Sequence, residues 1–155
     1  MSKSLTRVMA ALDRAGLVVT VQEMPGLTRT AAEAAVAAGV EIDQIVKSIL
    51  FQGAGGRLYL FLTAGGNQVD LTRASELAGE GLGRADAGAV RTITGFAIGG
   101  VAPIGHLTAL PVWLDPRLLD FPQVWAAAGT PRHIFAIAPE DLYRITGATA
   151  SAFTG

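Results

Sequence analysis

Apolar residues recur at Leu5, Val8, Met9 and Leu12, the i, i+3, i+4, i+7 spacing of one helix face, with Gly16 as its stop. Val18 to Gln22 is rich in β-branched residues and predicts a strand. Thr30 followed by Glu33 has capping-box spacing and opens an alanine-rich helix that ends at Gly39. Ile45 to Phe51 and Leu58 to Thr63 are strand-like, and the glycine-rich turn from Gln52 to Gly56 makes them a hairpin. Asp70 caps a helix over Leu71 to Ala78, closed by Gly79, and Asp86 caps another with Val90 and Ile93 inward. Leu110 to Leu114, Val124 to Ala127 and Ile134 to Ile137 predict strands, and Pro139 starts a last helix through Ile145, closed by Gly147. Hairpins mix with scattered helices without βαβ alternation. The predicted class is α+β, with a mixed sheet or partly closed barrel.

The 155 residues suit one domain, with no linker or repeat to divide it. Half the residues are apolar, enough for a core, and only 16% are charged, which excludes a disordered charged tail. A net charge of -1 advertises no long nucleic-acid footprint. With no cysteine, disulfide scaffolds, thiolate zinc and cysteine nucleophiles are excluded, and two histidines cannot build a three-histidine zinc site. The first residues do not read as a secretory signal, because Arg7, Asp13 and Arg14 interrupt them. The longest near-apolar stretch, Ala34 to Val40, falls far short of a membrane span. A cytoplasmic protein is the expectation, with no membrane and no metal.

Lys47 interrupts an otherwise apolar strand in which Ile45, Lys47, Ile49 and Phe51 share one face and Val46, Ser48 and Leu50 the other. An ammonium there needs a partner or a cleft, unless the chain simply snorkels to water. The segment from Gly95 to Gly105 carries glycines at 95, 99, 100 and 105, with Pro103 stiffening it. It either aims backbone N–H groups at an anion or is a tight connection, and it matches neither a P-loop nor GxGxxG. His133, beside Thr130 and Arg132, can bind a polar ligand, act as acid–base group or do neither, and His106 stands with it. Asp70, Asp86 and Asp115 read as caps or turn residues. Ser48 has no histidine partner in the sequence, so a hydrolase triad is weak.

The Lys47-Ser48 strand, the loop Gly99-Gly100-Val101-Ala102-Pro103-Ile104-Gly105 and the ending from Ala128-Gly129 to Asp141-Leu142 follow in a telling order and spacing. Together they resemble the YbaK/prolyl-tRNA synthetase-associated family, relatives of the editing domain inserted in bacterial prolyl-tRNA synthetase. The resemblance spans roughly Leu5 to Gly147. It implies an α+β domain with a barrel-like sheet flanked by helices. It implies hydrolysis of a wrong amino acid from tRNA, commonly tRNA for proline, with the acceptor end of that tRNA and prolyl-tRNA synthetase as partners and no cofactor. Lys47 then lies in the active cleft. The loop from Gly99 to Pro103 supports the reacting ester, with Ser48, Ile104 and Gly105 also at the substrate, and His133 matches a pocket histidine. That histidine points away from a cysteinyl-tRNA specialist and toward alanine or another small aliphatic residue.

An aminoacyl ester is already activated, so positioning and oxyanion stabilisation suffice. Backbone N–H groups of Gly99 and Gly100 are the expected donors. Lys47 holds the terminal adenosine or its phosphate, or orients water, and the terminal ribose hydroxyl helps activate that water. Lys3, Arg7, Arg29, Arg57, Arg73, Arg84 and Arg91 are the cations available for a local patch. The rivals are a non-catalytic module holding a small anion or nucleotide, and a generic esterase.

Overall fold

A computed structural model describes residues 2–26 and 30–155. Arg29 lies outside the described residues. Helix α1 (Lys3–Arg14) opens on Ser2, whose Oγ accepts from the Ser4 and Leu5 N–H groups at 3.1 and 3.3 Å. Leu5, Val8 and Leu12 are buried, whereas Met9, at the border of the stripe, is exposed. Strand β1 is Val21–Glu23, later than expected, and Val18 is fully exposed. A strand forms where it finds a partner, and here Val21, Gln22 and Glu23 face Phe135, Ile134 and His133.

Helices α2 (Ala31–Ala38), α3 (Leu71–Ala78) and α4 (Ala87–Thr94) start at Thr30, Asp70 and Asp86, whose side chains accept from first-turn N–H groups. They end at Gly39, Gly79 and Gly95, each left-handed. β2 (Val46–Gly53) and β3 (Leu58–Ala64) form the expected antiparallel hairpin, in register from Val46–Ala64 to Gln52–Leu58. All of β3 is buried, with Leu58, Leu60 and Leu62 in the main core and Tyr59 and Phe61 in a second cluster with Ala74, Leu82 and Phe153. β4 (Leu82–Arg84) pairs with the end of β2, β5 (Val112–Leu114) runs parallel to β3, and β8 (Thr149–Ala150) runs parallel to β5. β6 (Val124–Ala127) and β7 (His133–Ile137) form a second hairpin, and α5 (Pro139–Thr146) follows with proline in its first turn.

The described strands make a five-stranded mixed sheet, β4-β2-β3-β5-β8, and a three-stranded sheet, β1-β7-β6. A parallel bridge from Ile45 to Trp125 joins them at the start of β2. α1, Phe96, Phe135 and Leu118 fill the main core with the inward face of β3. The fold is therefore α+β with a partly closed, barrel-like sheet. Beyond the Ile45 bridge, residues of β2 and β6 line one cavity, and the site lies there.

Asp115 is a cap and more. Its Oδ1 accepts from the Arg117 N–H at 3.0 Å, and its Oδ2 accepts from the Ala64 N–H at 3.1 Å and Asn67 Nδ2 at 2.9 Å. It is 3% exposed. Asp115→Ala strands three buried or part-buried donors, so a stability loss of about 3 kcal/mol is expected. Urea titration reads it as a lower midpoint with an unchanged slope, and a midpoint equal to that of the native chain contradicts it.

Candidate active site

A cavity of about 670 Å³ opens between α2, β2, β6, the 95–105 loop and the turn joining β6 to β7. Its walls are mostly small and apolar, with Ala31, Ala34, Ala126 and Ala127 among them. Lys47, Ser48, Gly99, Val101, Trp125 and Thr130 bring polar atoms or backbone to it.

β2 pairs Lys47 with Thr63 and leaves the lysine half-buried. Its Nζ donates to the Asn67 carbonyl at 2.5 Å, which ties the strand to the loop after β3. Burial lowers the Lys47 pKa from its ordinary value, and Asp115 and Asp43 partly offset this. The ammonium is therefore anchored in the wall by a carbonyl, with Asp115 and Asp43 acting on it only at longer range. Ser48 lies on the opposite face of β2, and its Oγ is buried without a hydrogen-bond partner among the described residues. Trp125 Nε1 is in the same condition.

α1 clamps the glycine loop. Arg7 Nε donates to the Gly105 carbonyl at 2.7 Å and Nη2 to the Thr94 carbonyl at 3.3 Å, with the guanidinium 4.4 Å from the Phe96 ring centre. His106 packs edge-on against Phe96 and its Nε2 lies 2.8 Å from the Ala102 carbonyl, so that nitrogen carries the proton. Burial lowers the His106 pKa, which keeps the ring neutral. His106 is a loop brace, not an acid–base group.

The loop tip is a tight turn in which the Gly100 N–H donates to the Ala97 carbonyl at 3.0 Å. Gly99 supplies the positive φ that this turn needs, +90°. Gly100 is glycine for another reason, since a Cβ there would stand 3.2 Å from the backbone of Thr130. With its N–H in the turn, Gly100 is not the free donor that the sequence suggests. The N–H groups of Gly99 and Val101 have no acceptor among the described residues, and both residues line the cavity.

Pro103, Ile104 and Gly105 do not reach this cavity. They turn back toward α1 and, with His106 and Arg14, border a separate concavity of about 340 Å³. His133 is not on the wall either. It begins β7 opposite Glu23, and its Nδ1 lies 2.6 Å from Thr130 Oγ1, so it stands behind a residue that does line the cavity. Thr130 carried no sequence signal beyond its place between Gly129 and His133. Of the candidate cations, Arg7 is half-buried against the loop, Arg57 lies against Tyr59 and Arg73 donates to the Thr154 carbonyl, and none of the described candidates lines the cavity. Among the described residues no group of three or more histidines, cysteines or carboxylates is placed to hold a metal, and no helix is long and apolar enough to cross a membrane.

A half-buried lysine and two backbone N–H groups without acceptors among the described residues thus meet at a largely apolar cavity in a barrel-like α+β fold. The sequence matches the aminoacyl-tRNA editing domain family over residues 26–145, and the chain belongs to that family. A solved structure described as a "putative trans-editing enzyme for prolyl tRNA synthetase" is 49% identical, with a TM-score of 0.93 over 100% of this chain and 99% of that one. The structure of hypothetical protein APE2540 is 28% identical, with a TM-score of 0.88 over 96% and 99% of the two chains. The uncharacterised protein YwhH of Bacillus subtilis strain 168 is 30% identical over 122 residues, 79% of this chain and 78% of its own.

Proposed function

We propose that the chain is a cytoplasmic deacylase that acts in trans on mischarged tRNA, with alanine as the first substrate and tRNA for proline as its carrier. The observation that carries this reading is the apolar cavity of about 670 Å³ with Lys47 on its lining, together with the Gly99 and Val101 N–H groups, which have no acceptor among the described residues. Family membership supports tRNA as the substrate, and the name of the 49% identical relative supports the link to prolyl-tRNA synthetase.

Water attacks the ester carbonyl, and the oxygen that gains charge is held by the two N–H groups, with the Lys47 ammonium nearby. The C–O bond to the terminal ribose then breaks, and the ribose oxygen takes a proton. The hydroxyl next to the ester helps to activate the water, so a tRNA whose terminal adenosine lacks it is expected to react poorly. Full activity on that tRNA would require a base from the protein. No metal enters this scheme. Chelator treatment of the protein should leave the rate unchanged when magnesium is restored for tRNA folding, whereas recovery that depends on added zinc contradicts it.

An apolar wall separates side chains that differ by one methylene by only about 1–3 kcal/mol, so the amino acid must be read from rates. The test is a panel of alanyl, seryl, cysteinyl and prolyl esters on tRNA for proline and on other tRNAs. Fastest release from alanyl-tRNA for proline is expected. Activity confined to cysteinyl-tRNA, or equal activity on simple esters without tRNA, overturns the reading.

A further inference from the structure

The cavity wall is well supplied with donors. The Lys47 ammonium and the Gly99 and Val101 N–H groups can only donate. An aminoacyl ester presents oxygens that need donors, but also an α-ammonium that needs an acceptor. We propose that Thr130 Oγ1 is that acceptor and that His133 is the positioning residue behind it. The proposal rests on the deacylase reading above.

The hydrogen-bond inventory of this hydroxyl leads there. Oγ1 accepts from the Arg132 N–H at 3.1 Å, which uses one lone pair. His133 Nδ1 lies 2.6 Å from Oγ1, and Nε2 lies 4.0 Å from Glu23 Oε2. The proposed role takes the tautomer with the proton on Nε2, in which Nδ1 accepts and the Thr130 hydroxyl donates. One lone pair of Oγ1 remains, on a residue that lines the cavity. Donation to the imidazole polarises the hydroxyl and strengthens what it accepts. Of the other side-chain hydroxyls near the lining, Ser48 Oγ is covered beneath the surface, and Thr30 Oγ1 is committed to its helix cap, donating to Glu33 Oε1 and accepting from the Glu33 N–H. The position of Thr130 is fixed from the opposite side, because Gly100 lets the loop close directly onto its backbone. The histidine therefore influences substrate choice without touching substrate, and the residue that reads the free amino group is the threonine.

The experiment compares alanyl-tRNA with propionyl-tRNA, which has the same size and ester but no amino group. Thr130→Val should lower kcat/KM about 10- to 100-fold on alanyl-tRNA and leave the slower propionyl reaction within about twofold, since a hydrogen bond to a charged group is all that is lost. Thr130→Ser should restore the alanyl rate. An equal loss on both substrates would place Thr130 at the attacking water or in the fold, and no loss on either would remove it from the site; both overturn the proposal. If the native chain hydrolyses neither ester, the deacylase reading fails. Nitrogen-15 spectra of the imidazoles still examine the pair in that case. They should show His133 protonated on Nε2, with an Nδ1 signal that shifts in Thr130→Val. An unchanged Nδ1 signal refutes the pairing.

Discussion

Lys47→Ala is expected to lower deacylation at least tenfold, about 1.4 kcal/mol of transition-state stabilisation, without loss of the fold. The two halves have one cause. The ammonium is held in the cavity wall by the Asn67 carbonyl, with Asp115 and Asp43 as its nearest anions. Burial outweighs those anions and lowers the Lys47 pKa, so the folded state disfavours the charged form. For a folded pKa below the unfolded one, the unfolded chain binds more protons between the two values. Stability therefore rises with pH through that window and carries the full penalty below it. A neutral side chain removes the penalty. Lys47→Ala and Lys47→Met should thus melt at or above the temperature of the native chain at neutral pH while losing activity, the usual trade at a functional site. A variant with native turnover would make Lys47 structural, and a variant that melts well below the native chain would contradict the electrostatic account.

Gly99→Val should reduce the maximal rate about 100- to 1,000-fold, the usual loss of one oxyanion donor, with Gly99→Ala intermediate. The reason is the backbone. No heavy atom lies within 4 Å of a Cβ built at Gly99, so a side chain finds open space. Its φ of +90° is the obstacle, because side chains of L-residues crowd the carbonyl there at a cost of roughly 1–2 kcal/mol. β-branching makes it worse. The turn from Ala97 to Gly100 would relax, and the N–H groups of Gly99 and Val101 would swing away from the cavity. Because the turn is exposed at its tip, the melting temperature should change far less than the rate. Full activity of Gly99→Val would remove the loop from the chemistry.

Local signals were legible in the sequence and pairing signals were not. Thr30, Asp70 and Asp86 cap their helices with bonds closed within three residues, and Gly39, Gly79 and Gly95 end them, so each element is written where it forms. β4 and β8 are three and two residues long and exist only through β2 and β5, so no pattern within them announces a strand. β1 moved to its partner for the same reason. At the site, Lys47 stood out as a charge in an apolar run, whereas its anchor is the main-chain oxygen of Asn67, which has no side-chain signature. His133 attracted attention by its chemistry, but alternation along β7 gives the cavity Ile134 and leaves His133 behind Thr130. Pro103 to Gly105 are continuous with Gly99 in sequence, yet the clamp by Arg7 folds that end of the loop onto α1.

Alanine released from alanyl-tRNA for proline, counted per molecule of protein with the tRNA in hundredfold excess, tests the central claim most directly. The account predicts many turnovers per molecule, sharply reduced in Lys47→Ala. Release of no more than one alanine per protein above the spontaneous rate would contradict it and leave a binding module in place of an enzyme.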